Sequence, residues 1–161
     1  MSMIGRPANF LVAACVLVFA ANLSSALARA EDQGGDGDAT TCVEPYAVAS
    51  RPIVGERGST AGKVIGNLEL RWSWSCHANW SRVVLYGGMY SSPVTVEQEI
   101  NAEGRVSRSG DYNVRTGASG TAAWTRYLRL SKSESTACVS AHVSSDFGTL
   151  NFHTVGANFC V

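Results

Sequence analysis

Between Leu68 and Val83 the chain reads LELRWSWSCHANWSRV, and Leu68, Leu70, Trp72 and Trp74 recur there at every second position. Glu69, Arg71, Ser73 and Ser75 occupy the alternate positions. Successive side chains of an extended strand point to opposite sides, so this period separates an apolar face from a polar one. Such a strand has to bury its apolar face against a second layer. The pattern predicts a core strand carrying both Trp72 and Trp74 inward, and a hairpin partner that begins at Trp80. Cys76, between the two segments, is placed to pin their junction.

The first thirty residues have the features of an export signal. Arg6 is a charged flank, an apolar run extends from Phe10 to Ala21, and Ala28-Arg29-Ala30 fits an A-x-A cleavage site. The run is too short for a membrane span, which needs about 20 apolar residues. Residues 1–30 are therefore expected to be removed, taking Cys15 with them and leaving 131 residues, enough for one domain with a single core. No stable membrane span is expected after cleavage.

Four cysteines then remain, Cys42, Cys76, Cys138 and Cys160. An even set in an exported chain predicts two disulfides. Three connectivities are possible, and the sequential one, Cys42 with Cys76 and Cys138 with Cys160, joins the partners nearest in sequence. Each bridge is expected to stabilise the fold by roughly 3 to 4 kcal/mol through loop closure. The gaps lack the C-x-x-C knuckles of a zinc site, so no metal is expected.

Glu31 to Thr41 is rich in Gly, Asp and Thr and predicts a flexible acidic leader, followed by a single β domain over 42–161. Within the domain, short apolar segments alternate with turn residues. Strands are expected at Tyr46–Ala49, Lys63–Ile65, Leu68–Ser75, Trp80–Gly87, Val94–Ile100, Ala122–Leu130, Ala137–Ser144 and Leu150–Val155. Without a sustained helical period, this spacing predicts an all-β fold, a small antiparallel barrel or sandwich. Asn101–Thr121, with Gly104, Gly110, Gly117 and Gly120, is the least regular stretch and predicts a long surface loop or a protruding hairpin.

Charge excludes one class of partner. Removing Arg6 and Arg29 leaves eleven basic residues against thirteen acidic ones, four of the latter in the leader. This balance gives no footprint for nucleic acid.

Catalytic constellations are sparse. There is no G-x-S-x-G elbow, and the cysteines are committed to disulfides. His142, Asp146 and His153 are the tempting cluster, but Gly148 suits a three-residue hairpin loop that places His142 opposite Phe152 and His153 opposite Ala141, on opposite faces. His77 is expected in a solvent-facing turn. Glu97 and Glu99 share one strand face about 7 Å apart, so they form a solvated face and cannot flank a sugar from two sides. Binding is the better prospect. Trp80 and Trp124, in less apolar company than Trp72, are expected to be partly exposed, and aromatic rings suit glycans or peptides. Arg82, with Arg108 and Arg115 in the irregular stretch, completes the candidate binding set, although a cross-strand ion pair of Arg71 or Arg82 with Glu69 is the plainer reading for the strand arginines.

The run L-E-L-R-W-S-x-x-C-x-x-N-W-S-R-V from Leu68 to Val83 resembles the signature of the YjfA-like family, the domain of unknown function numbered 2690. Ser81 stands where alanine is more usual in that family. Cys42 with Ala47-Val48-Ala49, and further on Ala123-Trp124 and Cys138, are compatible with the same pattern. The resemblance implies an exported, disulfide-stabilised β domain of the kind found in actinomycete-type and related Gram-positive bacteria, and it assigns no catalytic residue and no cofactor.

The combined expectation is a secreted, monomeric, non-catalytic binding module for an extracellular or cell-wall partner, without cofactor. A small secreted hydrolase using His142 or His153, and a protease inhibitor using Asn101–Thr121 as bait, are the alternatives.

Overall fold

The protein is described from a computed structural model over residues 37–90, 93–144 and 157–161. The export-signal segment, most of the acidic leader, Asp146, His153 and the strand expected at Leu150–Val155 lie outside the described residues. Among the described residues nine strands form two antiparallel sheets packed face to face: β1 (Tyr46–Val54), β2 (Val64–Ser73), β3 (Ala78–Leu85), β4 (Val94–Ala102), β5 (Arg105–Val114), β6 (Thr121–Trp124), β7 (Leu128–Arg129), β8 (Ala137–Ser144) and β9 (Ala157–Cys160). One sheet has the order β1-β2-β3-β6, with β7 also pairing β3, and the other has the order β5-β4-β8-β9. The sheets remain open, so the fold is a sandwich and not a barrel. No helix among the described residues is long and apolar enough to cross a membrane.

Alternation builds the core as the sequence predicts. Leu68, Leu70 and Trp72 of β2 and Val83 and Leu85 of β3 face Val96 and Ile100 of β4 and Val139 and Val143 of β8, all nearly inaccessible to solvent. Burial of a Val, Leu or Ile side chain contributes about 1.5–3 kcal/mol relative to exposure, so this layer carries most of the driving force. A polar link crosses it. The Ser81 hydroxyl, facing inward from β3, donates to Oε1 of Gln98 on β4 at 2.9 Å, and both residues are buried.

Both sequential disulfides are present. Cys42–Cys76 closes 34 residues and Cys138–Cys160 closes 22, the second linking directly paired residues of β8 and β9. The first has a wider consequence. Thr41 and Cys42 end a 3-10 turn capped by Asp38, and Gly37 bridges Tyr127, so the end of the expected leader, Gly37–Thr41, belongs to the fold. This segment lies on the outer face of the first sheet, where Ala39, Cys42 and Tyr127 cover Trp80. Trp80 is therefore only 3% exposed, contrary to the expectation that it stands at the rim.

One strand boundary changes, and the stretch expected as either a long loop or a protruding hairpin takes the hairpin form. Val64 to Ser73 is one strand, joining two segments read separately, and it stops one residue before Trp74. Asn101–Thr121 is largely a hairpin: Ala102 pairs with Arg105 across a Glu103-Gly104 turn in which both residues have positive φ, and β5 continues for ten residues. Its inward positions are Arg105, Ser107, Ser109 and Asp111, so no apolar alternation announces it. In the last pairing Ala141 lies opposite Ala157, and the turn expected around Gly148 lies outside the described residues.

β1 is an edge strand with protective features: a bulge between Ala47 and Ala49, Pro52, and Arg51, whose guanidinium sits over the Phe159 ring at 5.4 Å. Bulges, prolines and inward-pointing charges each discourage another strand from pairing with an edge.

The buried Ser81–Gln98 pair gives a direct test. Ser81→Ala strands the Gln98 carbonyl without its donor and is expected to cost about 1–3 kcal/mol in chemical denaturation. Adding Gln98→Leu should restore most of that loss, because removing both partners of a buried pair is far less costly than removing one.

Candidate functional site

The most differentiated surface lies where the β2–β3 turn meets the open edge of the sandwich. β2 ends at Ser73, and Trp74–His77 turn the chain into β3, with His77 at φ 49°. Trp74 therefore leaves the strand before its turn to point inward, and it is 64% exposed, against the expectation that it packs in the core. The ring is nevertheless held. It meets Trp72 edge-to-face with centroids 5.2 Å apart, and His77 at 6.2 Å, while His77 packs on Trp72 at 5.1 Å. Pairs of this geometry contribute about 0.5–1.5 kcal/mol beyond the area they bury.

The turn is itself anchored. Cys76 is bonded to Cys42, the Val43 N–H donates to Ser75 Oγ at 2.7 Å, and the Val43 carbonyl accepts from Ser73 Oγ at 2.6 Å. His77 is half-buried, not solvent-facing, and its Nδ1 lies 3.0 Å from the Leu130 carbonyl. A carbonyl only accepts, so Nδ1 carries the proton. The Leu130 N–H returns a bond to the His77 carbonyl at 3.0 Å.

Beside this cluster opens a groove of about 260 Å³. It is lined by the buried Leu70 and Trp72, by Tyr46, Val48 and the exposed Trp74, and by the polar Ser133, Glu134 and Ser135. The polar wall is tethered to the tip of the β4–β5 hairpin. Glu103 accepts the Ser131 N–H at 2.9 Å, the Ser131 hydroxyl at 2.6 Å and the Ser135 hydroxyl at 2.6 Å. Desolvation raises the Glu103 pKa, but hydrogen bonds from Ser131, Ser135 and Lys132 outweigh it and hold the carboxyl at about 2. At Glu134 the hydroxyl of Ser133, bonded at 2.8 Å, is the leading cause of a lowered pKa.

The binding residues read from the sequence divide. Arg82, Trp80 and Trp124 do converge with Arg71 on a shallow depression on the outer face of the first sheet. There Glu69 meets Arg71 at 3.2 Å and Arg82 at 3.5 Å, the ion pair expected, and Trp124 is 39% exposed, as expected for a rim residue. Trp80 is the buried floor. Arg108 is on the other sheet, paired to Glu99 at 2.7 Å, and Arg115 is exposed just beyond β5.

His142 lies directly opposite Glu97, and together with Glu99, Arg108 and Ser140 they line a depression on the outer face of β5, β4 and β8. Among the described residues this is one face of one sheet, and no group of three metal-ligating side chains gathers anywhere. Neither Tyr46 nor Trp74 was recognisable as a site residue. The available signal was the position of Trp74 two residues before Cys76, where a disulfide-pinned turn can end the strand early. No family model, curated protein or solved structure matches the chain.

The Glu103 tether predicts an acid dependence. Its folded pKa lies below the ordinary value of 4.5, so its contribution is complete above pH 4.5, declines below that, and is gone once pH falls through about 2. Amide hydrogen exchange at Ser131 should report this, and Glu103→Gln should weaken Ser131 protection at neutral pH and flatten its response to acid. Unchanged protection in the variant would show that the carboxylate does not hold this wall.

Proposed function

We propose that the protein is a secreted, non-catalytic module that binds an extracellular or cell-wall ligand through the groove beside Trp74. One observation carries this reading: a tryptophan ring left 64% in solvent yet braced by two other rings and a disulfide-anchored turn. Leaving so much apolar surface in water forgoes burial energy of about 25 cal/mol per Å². A fixed, exposed ring is the form of aromatic that binds with little ordering cost, because its conformational entropy is already lost in folding. Two disulfides accord with an oxidising compartment, and the export pattern and the YjfA-like resemblance point the same way.

The hydrolase alternative has the His142–Glu97 pairing in its favour. It is the weaker reading, since Glu99 is engaged by Arg108 and the two carboxylates project from one strand. The inhibitor alternative relied on a long loop, and ten residues of that segment are strand.

Co-sedimentation with insoluble cell-wall material tests the proposal. The protein is expected to pellet with the wall and Trp74→Ala to stay largely in the supernatant while remaining folded, with a modest loss of thermal stability from the lost contacts with Trp72 and His77. Equal pelleting of the two proteins, or none of either, would overturn it.

A further inference from the structure

The groove has two chemically different walls, and the pairing selects among ligands. Tyr46 and Trp74 present 46% and 64% of their surface, so one side is a pair of accessible aromatic rings. Ser133 and Glu134 also line it. Among the described residues the Glu134 carboxylate accepts one side-chain hydrogen bond, from Ser133, against an acceptor capacity of about four. A ligand for this groove needs a flat apolar face for the rings and a rim of donors for the carboxylate.

We propose that the ligand is a pyranose unit of a neutral or amino-sugar polysaccharide, lying with its C–H face on Trp74 and Tyr46 and donating hydroxyl hydrogens to Glu134. The assignment rests on the groove being the binding surface. Size agrees with it: about 260 Å³ holds a single ring with its substituents, below the roughly 300–1,000 Å³ of pockets that enclose drug-sized ligands. Charge agrees as well. Among the described residues no lysine or arginine lines the groove, and Glu134 repels carboxylate and phosphate groups, which sets anionic wall polymers aside. A peptide bound by strand addition needs a free strand edge for its main-chain hydrogen bonds. The adjacent edge is β1, interrupted by its bulge near Val48 and by Pro52.

Titration of the full chain with cellotetraose, chitotetraose and maltotetraose, read by intrinsic tryptophan fluorescence, tests this. Saturable binding of at least one of them is expected, weakened tenfold or more by Trp74→Ala, several-fold by Glu134→Gln, and unchanged by Arg82→Ala. Trp74→Phe should retain part of the affinity, which separates loss of the ring from loss of the fold. Absence of saturable binding to all three sugars overturns the pyranose assignment. If wall material still pellets the protein in a Trp74-dependent manner, the binding role stands and only the ligand class is wrong. If neither binds, both proposals fall. Sugar binding that survives Trp74→Ala also overturns the assignment, because it places the sugar elsewhere.

Discussion

The Cys42–Cys76 bridge is the constraint on which the rest of this surface depends. It fastens the segment before β1 to the turn after β2, two parts of the chain that otherwise meet only through a few hydroxyl bonds at Val43. Closing a loop of this length is worth roughly 4 kcal/mol in the chain-entropy model, a large share of the 5–15 kcal/mol by which domains are stable. The same bond has two structural outcomes on opposite faces of one sheet. Outside, it brings Ala39 and Cys42 down on Trp80 and makes a second small core. At the sheet end, it fixes the turn from which Trp74 projects.

The polar wall of the groove has a separate anchor. Ser131 and Ser135 are bound to Glu103, which sits at positive φ in the tight turn of the β4–β5 hairpin. The aromatic residues thus come from the first sheet and its β2–β3 turn, and the polar ones from the loop joining β7 to β8, which is tied to the β4–β5 hairpin. Their separation is maintained by the sandwich core between them, so ring and carboxylate are positioned before any ligand arrives. That preorganisation is what allows a small groove to bind usefully, since little ordering remains to be offset.

Much of the fold was legible because it rests on alternation and on cysteine arithmetic. Leu68, Leu70 and Trp72 point inward as their spacing demands, and both disulfides join neighbours in sequence. β5 was illegible for a physical reason: an edge strand with Ser107, Ser109 and Asp111 inward carries no apolar period, and Glu-Gly is not among the usual signals for a two-residue hairpin. Trp80 and Trp74 exchanged their expected roles for a related reason. Periodicity predicts which face a side chain takes, but it cannot tell that a distant segment covers the outer face, or that a strand ends two residues early. Arg82 and Trp124, named separately as candidate binding residues, meet on one depression, yet the more differentiated groove, with Tyr46, Trp74 and Glu134, emerges only when three separate segments meet.

The central claim is that recognition occurs between the braced ring and the carboxylate wall. Chemical-shift mapping on the isotopically labelled protein, with a soluble digest of cell-wall polysaccharide added stepwise, addresses it most directly. The account predicts that the perturbed resonances cluster at Tyr46, Trp74, Asn79 and Ser133–Ser135. Perturbations centred on Arg82 and Trp124, or on Glu97 and His142, would contradict it.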